Sequence, residues 1–171
     1  MKKRGVKLFV RGDLREILDS QCDFPSYIEE SMKKYPEFDF SHIMESYKKY
    51  GEFFVADYLE NEKACELLKA ESKKGLSTVQ ERGQLYIELI KEGYLSGDRI
   101  EVNRHVYKRV KKARKFFENF VQEQKLNDGE LVIVAHSRFS KAWTSKNIDI
   151  EKDEFVDYYA PKNCEVFESD I

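Results

Sequence analysis

Cysteine is scarce in this chain. Three occur, Cys22, Cys65 and Cys164, widely spaced and with no CxxC pair. That pattern argues against a disulfide framework and fits reduced thiols inside a cell. Long apolar runs are missing too. The basic start "MKKRG" leads only into "VKLFV", too short for the core of a signal peptide, and no run approaches a membrane span. The expectation is a soluble cytoplasmic protein with no membrane partner, import into an organelle being left open. There is no surplus of positive charge: 30 Lys and Arg face 32 Asp and Glu, a formal net charge of −2. A chain without a basic surplus is poorly suited to general nucleic-acid binding, so no nucleic-acid partner is expected. A glycine-rich phosphate loop, a zinc cluster and a GxSxG elbow are all absent from the sequence. His42 and His105 have no second ligand at metal spacing and read as structural or surface residues. No internal repeat or low-complexity tract occurs.

What is present describes a folded domain. The 171 residues are 41% hydrophobic, enough for a core in a single domain, and 36% charged, which implies a very polar surface. "VKLFV", Val6 to Val10, reads as a short buried strand. Pro25 and Pro36 bracket a segment with room for one short helix. From about Ser41 to Lys74 the apolar residues Ile43, Tyr47, Tyr50, Phe54, Tyr58, Leu67 and Leu68 largely keep three- and four-residue steps, which predicts helix, with Gly75 as its stop. Thr78 and Glu81 have capping-box spacing and open a helix that ends near Gly93. A long helix is predicted over about Asn103–Lys125, with Val106, Val110, Ala113, Phe116, Phe117 and Phe120 as its apolar stripe. "NDGE" breaks it. Leu131 to Ala135 is fully apolar, as in a strand covered on both faces. Another helix is predicted from Ser137, and "NCEVF", Asn163 to Phe167, reads as a last short strand. The layout is α/β with a large helical insertion.

Three places in the sequence invite chemistry. His136 closes the apolar run just before a predicted helix. Ligands of open α/β sheets sit beyond the carboxyl ends of strands, and free helix N–H groups suit an anion. The plainer reading is a histidine that closes a strand and bonds to a nearby loop. Glu16, in "DLREI", follows the first predicted strand in the same way and suits a general acid if partly buried, or else is a surface charge. The run "KRVKKARK", Lys108 to Lys115, has six basic residues in eight. With Val110 and Ala113 facing inward its cations fan out, as a solvated face or, less simply, as a phosphate or RNA contact.

Taken together these pieces resemble the histidine phosphatase superfamily, the phosphoglycerate-mutase-like group. "DLREI" resembles the family's LRE element, whose glutamate is the proton donor, here Glu16. "IEVNRHVYKRV" resembles its "ES…RV" segment, with Glu101 and Arg109 in the matching places. "LVIVAHSRFSKAW" resembles the strand that ends in the second catalytic histidine, here His136. "PKNCEVF" resembles the closing strand, with Asn163 and Cys164. The order and rough spacing agree over about residues 6–170. The resemblance implies a three-layer α/β/α fold, with a helical cap or insertion at about 36–97 that selects the substrate, and one histidine-phosphatase-like domain over 1–171. It implies phosphoryl transfer or phosphate ester hydrolysis through a phosphohistidine, on a phosphorylated small molecule or phosphoprotein, with no cofactor. Glu16 and His136 would be catalytic, and Arg15, Ser137 and Arg138 would contact the substrate. The chemistry is nucleophilic catalysis plus electrostatic stabilisation of a charge-rich transition state.

The sequence also departs from that family. It has no RHG motif; "VRGD", Val10 to Asp13, abuts "LREI" directly. Aligned on LRE, the first strand, the nucleophilic histidine and both arginines of the phosphate pocket would lie upstream of Met1. Ser137 stands where a glycine is usual, and Arg138 follows it. These 171 residues alone are therefore expected to be inactive. A sheet without its first strand is incomplete and has open edges, which call for another strand, for a protein partner or self-association, or for this chain to be part of a longer product. The alternative to an enzyme is a catalytically dead relative that serves as a binding or structural subunit, with Tyr47, Tyr50, Phe53, Phe54 and Tyr58 as interface candidates.

Overall fold

The computed structural model describes residues 7–18, 23, 27–51, 62–72, 78–91, 101–124, 131–162 and 165–168. It mixes helix and strand and divides into two compact units. One comprises Met1–Gly12 with Asp19–Ile100, the other Asp13–Leu18 with Glu101–Ile171.

In the first unit, β1 (Leu8–Phe9) lies parallel to β2 (Phe38–Asp39), with Leu8 opposite Phe38. The strand predicted over Val6–Val10 is thus real but short; Val6 lies outside the described residues. Helix α1 (Ile28–Lys34) has glutamates in its first turn and lysines in its last, the order that the helix dipole favours. Helix α2 (Ser41–Tyr50) packs Ile43 against Ile28 and Phe40, with Val10, Phe38 and Tyr47 closing this small core. Two of the aromatics considered for an interface are used inside the unit. Tyr50 is buried, and the Tyr47 hydroxyl donates to Glu29 at 3.0 Å. Phe53, Phe54 and Tyr58 lie outside the described residues, as do Pro25 and Gly75. His42 packs edge-on against Phe9, ring centroids 5.4 Å apart, as a structural residue would. The continuous helix expected from Ser41 to Lys74 is described as α2 and α3 (Glu62–Ser72), with Gly51 at φ 56° ending α2. A side chain at Cβ is costly there and glycine is not.

The capping box forms at the start of α4 (Val79–Lys91). The Thr78 N–H donates to the Glu81 carboxylate at 2.8 Å, and the Glu81 N–H donates back to the Thr78 hydroxyl at 3.1 Å. Two otherwise orphaned donors are satisfied at once.

The second unit is built on α5 (Asn103–Glu123) and α6 (Ser137–Thr144). Val106, Val110, Ala113 and Phe117, at steps of four, three and four, form the buried stripe of α5. It meets Phe139, Ala142 and Trp143 of α6, and Ile17 joins them. The Phe117 and Trp143 rings meet edge-on at 6.2 Å. Burying a side chain of that size is worth about 1.5–3 kcal/mol, so this cluster holds the unit together. A hairpin of β3 (Asn147–Asp149) and β4 (Glu154–Val156) follows α6. The sequence reading did not find it. Its turn is set by Asp149, whose carboxylate accepts the N–H groups of Glu151 and Lys152 at 3.1 and 3.2 Å.

Two expectations are corrected here. Leu131–Ala135 forms neither helix nor strand and joins no ladder among the described residues. Its faces also differ. Leu131, Ile133 and Ala135 pack on the core, while Val132 and Val134 are 76% and 86% exposed. β-branched residues favour an extended backbone, but a strand forms only beside a neighbour. The predicted final strand fares likewise: residues 165–167 form no ladder among the described residues, and Asn163 and Cys164 lie outside them.

Candidate functional site

The Asp13–Leu18 segment runs beside the start of α5, and a buried ion network ties the two together. The Glu101 carboxylate is fully buried. Arg15 approaches it through Nη1 at 2.8 Å and Nη2 at 3.3 Å. Arg109 approaches it through Nε at 2.7 Å and Nη2 at 3.1 Å. The Leu18 N–H donates to the same carboxylate at 3.1 Å. Arg109 reaches further, its Nη1 donating to the carbonyls of Asp13 at 2.6 Å and Arg15 at 3.1 Å. Burial alone would push the Glu101 carboxyl up. The neighbouring charges of Arg15 and Arg109, with their hydrogen bonds, outweigh it and hold the group below the usual carboxylate value. Arg109 is pushed down to about 10, first by burial and then by the like charge of Arg15. It stays protonated at neutral pH.

This network engages two arginines singled out in the sequence. The guanidinium of Arg15, a residue expected to contact substrate, is bound to Glu101 and to the Glu16 carbonyl, 2.7 Å away. Arg109 was counted among the outward cations of Lys108–Lys115 and is 2% exposed. Arg114 also turns back, lying over the Trp143 ring at 4.6 Å and donating to the Trp143 carbonyl at 2.6 Å. Lys108, Lys111, Lys112 and Lys115 remain on the exposed side.

Held by this network, Glu16 comes to the first turn of α6. Its Oε1 accepts the Ile17 N–H at 2.8 Å, and its Oε2 accepts the Arg138 N–H at a long 3.4 Å. His136 is the N-cap of α6, with an extended backbone at φ −84° and ψ 164°. Its carbonyl accepts the Ser140 N–H at 2.9 Å and the Ser140 hydroxyl at 3.0 Å, while its ring stands on the exposed side. Ser137 follows, also exposed. Four of the five expected residues therefore meet at one helix start: Glu16 and Arg138 through a hydrogen bond, His136 and Ser137 through the chain. The fifth, Arg15, supports Glu16 from behind.

Two residues of this site escaped the sequence reading. Asn103 Oδ1 accepts Arg138 Nη1 at 3.2 Å, and Asn103 Nδ2 donates to the Asp153 carbonyl at 2.6 Å. The Asp153 carboxylate caps α5, accepting the N–H groups of Asn103 at 2.8 Å and Arg104 at 2.9 Å. Asp153 sits at φ 53° in the hairpin turn. An asparagine beginning a strong amphipathic helix was a visible cue; a capping aspartate fifty positions away was not. Among the described residues, no group of histidine, cysteine, aspartate and glutamate could hold a metal ion, and no helix is long and apolar enough to cross a membrane. Protein families, curated proteins and solved structures give no match to this chain.

Proposed function

We propose that the second unit is the phosphate-binding part of a histidine-phosphatase-like protein with a three-layer α/β/α plan, in which Glu16 holds the place of the proton donor and His136, Ser137 and Arg138 bind the phosphate. The observation that carries this reading is the meeting of Glu16 with the Arg138 N–H, 122 positions apart in sequence. A helix start with a cation beside it favours a dianion. A carboxyl beside that anion, once protonated, can donate to a leaving oxygen. The phosphohistidine step needs a nucleophile that the RHG-less sequence does not supply, so these residues bind phosphate without turning it over. Titration of the full chain with inorganic phosphate, followed by amide NMR, should move the Ser137 and Arg138 resonances. Glu16→Gln should tighten binding, because it removes a like charge. Silence of both amides at high millimolar phosphate sinks the reading.

A second reading rests on Leu131–Ala135. A segment that joins no ladder among the described residues and exposes two valines suits pairing with another strand, as in a binding subunit or a self-associating one. Sedimentation over a concentration series separates this from a purely monomeric phosphate binder.

A further inference from the structure

Arg138 is held differently from Arg15, Arg109 and Arg114. Arg15 and Arg109 are neutralised by Glu101, and Arg114 lies on the Trp143 ring. Arg138 is half-buried, yet among the described residues its guanidinium has no carboxylate partner. A half-buried guanidinium held by a neutral group keeps its full charge and can still donate a charge-assisted hydrogen bond to an anion. What holds it is a neutral amide. Asn103 Oδ1 fixes one Nη, and Asn103 is itself fixed on both its side-chain amide and its backbone N–H by Asp153.

We infer that Asn103, anchored by Asp153 of the β3–β4 turn, is a positioning residue that orients Arg138 toward a phosphate-class anion without cancelling its charge. A carboxylate at position 103 would orient the guanidinium equally well, but it would neutralise it. A small apolar residue would leave the charge and lose the orientation. The hairpin thereby acquires a task at the site: its turn sets Asp153, Asp153 sets Asn103, and Asn103 sets Arg138. This rests on the phosphate-binding reading above.

The test is a double-mutant cycle on the full chain, with inorganic phosphate as the probe and thermal melting to show that each variant is folded. Arg138→Ala is expected to weaken phosphate binding about tenfold, the size of one charge-assisted hydrogen bond. Asn103→Asp should weaken it comparably, and Asn103→Ala by less. Asn103→Ala should weaken binding no further once Arg138→Ala is present, which a purely structural role for Asn103 would not produce. If wild type binds and either folded Asn103 variant binds equally well, or if the loss from Asn103→Ala multiplies with that of Arg138→Ala, the positioning role is overturned and the site stands. If wild type does not bind phosphate, the proposed function falls and this inference with it.

Discussion

At the scale of single residues, Glu101 is the most consequential group in the second unit. It is fully buried against two guanidinium groups and one backbone N–H. Removing one partner of such a cluster strands the others in a poor solvent. Glu101→Gln should cost about 3–5 kcal/mol, read as a fall in the urea midpoint. The same carboxyl makes stability depend on pH. Its value in the folded protein is below that of the unfolded chain, so the unfolded chain binds the proton more readily. Its contribution is complete above the ordinary carboxylate range and disappears as pH falls through the depressed folded value. Urea melts at descending pH should show this loss in wild type, and Glu101→Gln should lack that component.

At the scale of elements, helices α4, α5 and α6 show three different sources of helix stability. Helix α4 begins on a reciprocal cap. Thr78→Ala should cost about 1 kcal/mol through loss of the hydroxyl acceptor, measurable by chemical denaturation. Helices α5 and α6 depend instead on each other. Phe139 is 1% exposed, lies among Val106, Val110 and Trp143, and faces the Arg109 guanidinium at 5.9 Å. Phe139→Ala should cost about 3–5 kcal/mol, from lost transfer energy and the cavity left behind. The start of α5 depends on a third device, the Asp153 carboxylate delivered from the hairpin. An amphipathic stripe can be counted along the chain, whereas a cap from another element becomes visible only when the chain is folded.

At the scale of the whole molecule, the open question is what accompanies Leu131–Ala135. Val134 is 86% exposed, so Val134→Lys removes almost no packing and should change stability by less than about 0.5 kcal/mol. If strand pairing drives association, the same substitution should abolish it, since a lysine on an open edge opposes pairing. Sedimentation of wild type and variant over the same concentrations reads both the association and its loss. Association that survives the lysine would place the contact elsewhere.

The sequence by itself determined the helix with the strongest periodicity: α5 begins and ends close to where its apolar steps put it, and α6 begins at the His136–Ser137 boundary. It also picked out Thr78–Glu81, and with it one capping box, because these signals are local and need no partner. It named Glu16, His136, Ser137 and Arg138 as companions, and their meeting at the α6 start depends on the tertiary fold. Only that fold decided the fate of the cations. Arg15 and Arg109 turn inward because one buried carboxylate needs them, while Lys111, Lys112 and Lys115 stay in water. The tertiary structure alone also placed Asp153 at the start of α5 and, among the described residues, gave Leu131–Ala135 no ladder. Periodicity fixes which face of an element is apolar, but hydrogen-bond and charge partners are chosen by what the fold brings within about 3 Å.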